Sequence, residues 1–132
     1  MPSEYEHKKG IVFKNQFHVI FCPKYRRPVL VDGVDVRLKE IFLQKTEELE
    51  VKIVSMEVMP DHVHLFLSFD PRLGIHQVVK ALKGVSSRLL REEFPWLRSR
   101  IPCLWTRSCF TCTVGHLGEE AVKRYIEQHK GV

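Results

Sequence analysis

Apolar and polar side chains alternate along several stretches of the chain, and elsewhere apolar residues recur every three or four positions. Ile11 to Cys22 is rich in β-branched and aromatic residues and stops at Pro23, which predicts a first strand. Beyond the turn signal Asp32-Gly33, Leu38, Ile41, Phe42, the stem of Lys45 and Leu49 fall at helical spacing. Val51 to Met59 and His62 to Phe69 read as two strands joined through Pro60-Asp61, and so as a hairpin. Asp70-Pro71-Arg72-Leu73-Gly74 breaks the chain before a longer helix. Its apolar stripe is Ile75, Val78, Val79, Leu82, Val85, Leu89 and Leu90, and Phe94-Pro95 ends it. Leu104 to Val114 predicts a fourth strand. Gly115 and Gly118 then lead into a terminal helix over about Glu119 to His129, with Glu119 and Glu120 favourably placed in its first turn.

The resulting order, β-α-β-β-α-β-α, implies an α+β fold. Split βαβ units of this kind give a ferredoxin-like antiparallel sheet with the first and third strands central, here with an additional C-terminal helix. No repeat, low-complexity tract or long linker divides residues 1–132, so a single domain is expected, and 44% hydrophobic content suffices for one core. No run of 18 apolar residues exists, which excludes a helical membrane span, and the polar start MPSEYEHKKG lacks the apolar stretch of a secretory signal. A cytoplasmic protein with no membrane partner is the expectation.

Charge sharpens this picture. The formal net charge is +5, which favours an anionic partner, nucleic acid above all, through phosphate contacts and counterion release. Lys24, Arg26 and Arg27 cluster in one loop, with Tyr25 available to stack on a base. Lys80, Lys83, Ser87 and Arg91 line the polar face of the second long helix. Cys22, Cys103, Cys109 and Cys112 read as reduced thiols. Cys109-x-x-Cys112 resembles half a metal motif, but residues three apart on a strand face opposite sides, so these cysteines are expected to be small buried hydrophobes.

The candidate chemistry starts at His62-Val63-His64. On a strand these histidines share a face with Phe66 and Ser68, their Cα atoms roughly 6.5 Å apart, so both imidazoles can turn to one cation. The plainer alternative is a pair of half-buried polar residues. His18, within the first strand, is expected to be a satisfied sheet residue, and Asp61 either serves the turn or orients a histidine. On the terminal helix Tyr125, Gln128 and His129 project from one face at i, i+3 and i+4. Tyr is a covalent nucleophile and Gln and His bind metals, whereas the plain alternative puts Tyr125 in an apolar stripe with Val122 and Ile126.

Four segments in order carry a resemblance. They are Cys22-Pro23-Lys24-Tyr25-Arg26-Arg27, Met59-Pro60-Asp61-His62-Val63-His64-Leu65, Leu82-Lys83-Gly84 with Ser86-Ser87-Arg88, and Lys123-Arg124-Tyr125-Ile126-Glu127-Gln128. Together they resemble the TnpA family of single-tyrosine HUH transposases from small insertion sequences, with the REP-associated tyrosine transposases as relatives. The resemblance implies a homodimer, with active sites that can be shared between subunits, that cleaves and rejoins single-stranded DNA with hairpin ends. It implies Tyr125 as nucleophile, a 5′-phosphotyrosine intermediate, and Mg²⁺ or Mn²⁺ on His62 and His64, with no nucleotide cofactor. It also suggests Lys83, Arg88 and Arg91 as contacts to phosphates or a DNA hairpin. The family's third ligand is a glutamine four residues beyond the tyrosine. Here that position is His129, with Gln128 one place earlier, so either can complete the set, and a third imidazole would tilt preference from Mg²⁺ towards Mn²⁺. Two other functions fit the same residues: a non-catalytic module binding hairpin DNA or RNA, and a metal-dependent hydrolytic site without tyrosine chemistry.

Overall fold

The computed structural model describes residues 5–113 and 119–128, and in the last helix the side chains from Arg124 onwards. A short hairpin, β1 (Glu6–Lys8) and β2 (Ile11–Phe13), precedes β3 (Gln16–Phe21), α1 (Val34–Glu48), β4 (Lys52–Met59) and β5 (His62–Ser68). Then follow α2 (Ile75–Glu93), α3 (Trp96–Arg100), β6 (Phe110–Cys112) and α4 (Glu119–Gln128). The main sheet runs β4-β5-β3-β6, every pair antiparallel. The expected first and third strands, β3 and β5, are indeed central, and β4 and β5 form the expected hairpin.

Period-two alternation divides the sheet's two faces. Val19 and Phe21 of β3 and Val63, Leu65 and Leu67 of β5 are buried in one cluster with Leu38, Ile41 and Phe42 of α1 and Val78, Leu82 and Leu90 of α2. Both long helices therefore cover one face, and each buried aliphatic side chain contributes roughly 1.5–3 kcal/mol. α1 begins after Gly33, whose φ of 96° lies in the left-handed region that glycine enters without steric cost. At the start of α2 the Gly74 N–H donates to Gln77 Oε1 at 3.1 Å, satisfying an amide at that end.

Several expected boundaries are corrected. The strand expected over Ile11 to Cys22 is two pieces, because Asn15 interrupts it. The Asn15 side-chain amide donates to the Phe69 carbonyl at 3.0 Å, and the Phe69 N–H returns a bond to the Asn15 carbonyl. Of the strand expected over Leu104 to Val114, β6 is only Phe110–Cys112. The preceding stretch is pinned to the end of β3 through Lys24 N–H to Leu104 O and Thr106 N–H to Cys22 O, while Lys83 takes the carbonyls of Thr106 and Ser108. A side-chain ammonium there does what a neighbouring strand would otherwise do. The short α3 after Pro95 was not expected. Among the cysteines, all free thiols, only Cys22 is buried; Cys103 is exposed, Cys109 and Cys112 are half-buried, and Cys109 lies outside β6. Among the described residues no helix is long and apolar enough to cross a membrane.

Candidate functional site

The sheet's second face carries the polar residues of the central strands. His62, His64 and Phe66 are partly exposed while Val63 and Leu65 between them are buried, as alternation requires. Register sets the neighbours. Ile20 lies opposite His64 and also opposite Phe110 of β6, Glu57 lies opposite His64, and Met59 opposite His62.

Each histidine is oriented by a partner. His62 Nδ1 lies 2.8 Å from Asp61 Oδ1, which leaves Nε2 as the donor available to a cation, in the carboxylate–histidine arrangement common to metal sites. Asp61 therefore does more than make the turn. His64 Nε2 lies 3.0 Å from Nδ1 of His18, whose ring stacks on Phe66 with centroids 4.3 Å apart. Burial first and the nearby His18 second hold His64 below the usual imidazole pKa, with Glu57 opposing them and His62 adding least, so the neutral, ligating form is favoured. These donors suit a divalent cation, although among the described residues no three His, Cys, Asp or Glu side chains form a group that could hold one. His129 lies outside the described residues; Gln128 is exposed at the end of α4.

α4 packs on this same face. Tyr125 is buried at 8% exposure against Ile20 and Cys22, with Phe110 and Ile126 beside it. Its hydroxyl lies 3.3 Å from Ser108 Oγ. Burial, above all, pushes the phenol up to about 12, with Ser108 pulling the other way. The apolar-stripe reading of Tyr125 thus describes its packing, and the nucleophile reading concerns the same side chain. Ser108 is itself held in place, since Lys83 Nζ donates to its carbonyl at 2.8 Å and to that of Thr106 at 2.9 Å.

Arg26 joins the two halves of the site. It lies with Nε 3.4 Å from Asp61 Oδ2 and a terminal nitrogen 3.4 Å from Glu127 Oε1, linking the carboxylate behind His62 to the tyrosine helix. Tyr25 and Arg26 both have positive φ, 58° and 51°, a conformation costly for non-glycine residues and concentrated at functional sites. That backbone turns Arg26 inward and leaves Tyr25 and Arg27 exposed, with Lys24 5.2 Å from the Tyr25 ring.

The remaining basic residues are spread apart. Arg91 donates to the Ile101 carbonyl at 3.1 Å, and Lys83, half-buried beside the Phe21 ring, is held as described above. Arg88 is exposed and lines, with Lys45 and Lys80, an open groove of about 500 Å³ on the helical layer. The structure thus unites Arg26 with the histidines and α4, and places Arg88 on the other layer. Sequence reasoning missed His18, Ser108 and Glu127. Only His18 carried a signal, lying on the first strand at the same parity as Ile20 and Cys22.

An antiparallel ferredoxin-like sheet with two long helices on one face is a fold this chain shares with a solved tyrosine transposase. That protein, a REP-associated tyrosine transposase bound to a REP hairpin, superposes with a TM-score of 0.58 at 10% identity, over 92% of this chain and 68% of that one. The chain belongs to the IS200-like transposase family, whose model matches residues 11–129. It is 39% identical to the ISDra2 transposase TnpA of Deinococcus radiodurans, over 98% of this chain and 94% of that protein. It is 28% identical to the transposase of insertion sequence element IS200 from Salmonella typhimurium, over 87% and 79%. A crystal structure of a Deinococcus radiodurans transposase superposes with a TM-score of 0.87 at 37% identity, covering 96% of this chain and 99% of that one.

Proposed function

We propose that this protein cleaves and rejoins single-stranded DNA at the ends of an insertion sequence, with Tyr125 as nucleophile. The observation that carries the reading is the docking of the Tyr125 helix on the sheet face that holds His62 and His64. A divalent cation, Mg²⁺ or Mn²⁺, held by His62, His64 and either His129 or Gln128, would supply positive charge at the scissile phosphate.

The chain's own residues do the rest. Asp61 fixes the ring of His62, and Arg26 ties that carboxylate to α4. Tyr125, stored against Ser108 in the resting arrangement, leaves that contact to reach DNA, which also releases its phenol from the burial that keeps it protonated. Its oxygen forms a bond to phosphorus as the bond to the 3′ oxygen breaks; the phenol proton passes to solvent and the departing 3′ oxygen takes one up. The 5′-phosphotyrosine preserves the phosphoester, so a 3′-OH can reverse the step and rejoin strands. Half-buried Lys24 and exposed Arg27 and Arg88 would contact phosphates, and Tyr25 would stack on a base.

Incubation with single-stranded DNA carrying a hairpin end and Mn²⁺ is expected to give a covalent protein–DNA adduct, absent in Tyr125→Phe. An equal adduct yield from that variant overturns the assignment, and water-derived ends would mark hydrolysis instead. The burial of Tyr125 favours one competing reading, a non-catalytic hairpin-binding module; tight binding with no adduct under any metal would establish it. We further propose a homodimer. Mixing Tyr125→Phe with His64→Ala subunits separates its two forms: recovered cleavage means shared sites, and no recovery means that each chain is complete.

A further inference from the structure

Arginine grips an oxyanion tightly when its planar fork meets two oxygens at once, at N···O distances of about 2.7–2.9 Å. Arg37 comes close to this with Glu93, through Nε at 2.7 Å and a terminal nitrogen at 3.1 Å. Arg26 is held otherwise. It reaches two carboxylates from different elements, Asp61 and Glu127, with a closest approach of 3.4 Å to each. Yet its side chain is only 18% exposed, and two successive residues of positive φ, Tyr25 and Arg26 itself, direct it there. A costly backbone thus aims a loosely held guanidinium into the functional site. Asp61 shares its carboxylate between Arg26 and His62, so the guanidinium stands beside one of the two imidazoles of the proposed reaction. Glu127 lies two residues beyond Tyr125 on α4, and its side chain is 64% exposed. Both residues ride on one hydrogen-bonded helix, so a movement of α4 that carries Tyr125 to DNA also withdraws Glu127 from Arg26.

We infer that Arg26 is a binding site for a backbone phosphate of the single strand, and that Glu127 fills it at rest as an internal stand-in for that phosphate. A carboxylate and a phosphate both offer the guanidinium fork two anionic oxygens, so one replaces the other without leaving the half-buried cation unpaired. The exchange couples two events. Glu127 opposes strand binding until α4 lifts, and the phosphate that takes its place keeps α4 from closing again. The inference rests on the Tyr125 reading proposed above and deepens it by naming what α4 gives way to.

In the test the whole protein is titrated into fluorescein-labelled single-stranded DNA with a hairpin end, without added metal, so that binding is read apart from cleavage. Arg26→Ala should weaken binding at least ~10-fold, as loss of a charged hydrogen bond does, and lower the slope of log K against log salt by about 0.7. Glu127→Gln should tighten binding about 3- to 5-fold, and should lose that effect in the Arg26→Ala background. Equal tightening in both backgrounds means that Glu127 acts only through net charge, and overturns the inference; so does unchanged affinity in Arg26→Ala. A measurement on the unaltered protein guards against a misfolded variant. With nitrogen-labelled arginine, the Arg26 Nε–H signal should shift when DNA is added, and a neutral methylphosphonate at one position of the strand should abolish the shift. A signal indifferent to DNA sinks the inference. Mn²⁺ then tests the Tyr125 reading separately. A covalent adduct without Arg26–Glu127 coupling overturns the phosphate site alone, and coupling without an adduct supports the site and overturns the nucleophile.

Discussion

At the scale of single residues, the buried Tyr125 and the half-buried Lys83 have measurable consequences. Tyr125 has its pKa raised to about 12, chiefly by burial, against about 10 in an unfolded chain. Below pH 10 both states are protonated and the group adds no pH dependence. Between the two values the unfolded chain loses its proton while the folded one keeps it, so stability falls as pH rises through that window, by no more than roughly 2.7 kcal/mol. Denaturant melts at pH 9 and pH 11.5 should therefore diverge more for the native protein than for Tyr125→Phe. Lys83 differs in kind. Its ammonium holds two carbonyls, and Lys83→Met leaves them without that donor, a loss of about 1.5–3 kcal/mol. Urea unfolding should show it, whereas Arg88→Ala, which removes an exposed cation, should leave the midpoint unchanged.

Among the elements, α4 packs on the site face of the sheet and not in the main core. Its contacts include a small apolar cluster around Tyr125, the Ser108 hydroxyl and an exposed Arg26–Glu127 pair, whereas α1 and α2 share the main core. An exposed pair at 3.4 Å contributes at most about 1 kcal/mol. Ser108→Ala combined with Glu127→Gln should raise amide exchange in α4 several-fold and leave β3, β5 and α2 as protected as before. Equal loosening of the sheet would show that α4 belongs to the main folding unit.

For the whole molecule, basic residues stand on both layers: the loop of Lys24 and Arg27 on the site side and the Lys45–Lys80–Arg88 groove on the helical layer. A long DNA strand with a hairpin that touches both should feel both. Each lost phosphate contact lowers the slope of log K against log salt by roughly 0.7–1. Arg27→Ala and Arg88→Ala should each do so in binding titrations at several salt concentrations. A slope altered by only one of them would confine DNA to that layer.

The sequence alone was enough for the order of the larger elements, though not for the β1–β2 hairpin or α3, and for the central place of β3 and β5 and the shared face of His62 and His64. All of these follow from local periodicity, which depends only on backbone geometry and on which side chains avoid water. The four spaced motifs likewise sufficed to show the family resemblance. Three-dimensional packing decided what periodicity cannot encode. Strand register brought His18, 46 residues away, to His64. A positive φ at Arg26 sent its side chain across to Asp61 and Glu127 rather than outwards. Packing of the layers buried the Tyr125 ring against Ile20 and Cys22. Each depends on pairs far apart in the chain, whose meeting is set by how the layers close on one another.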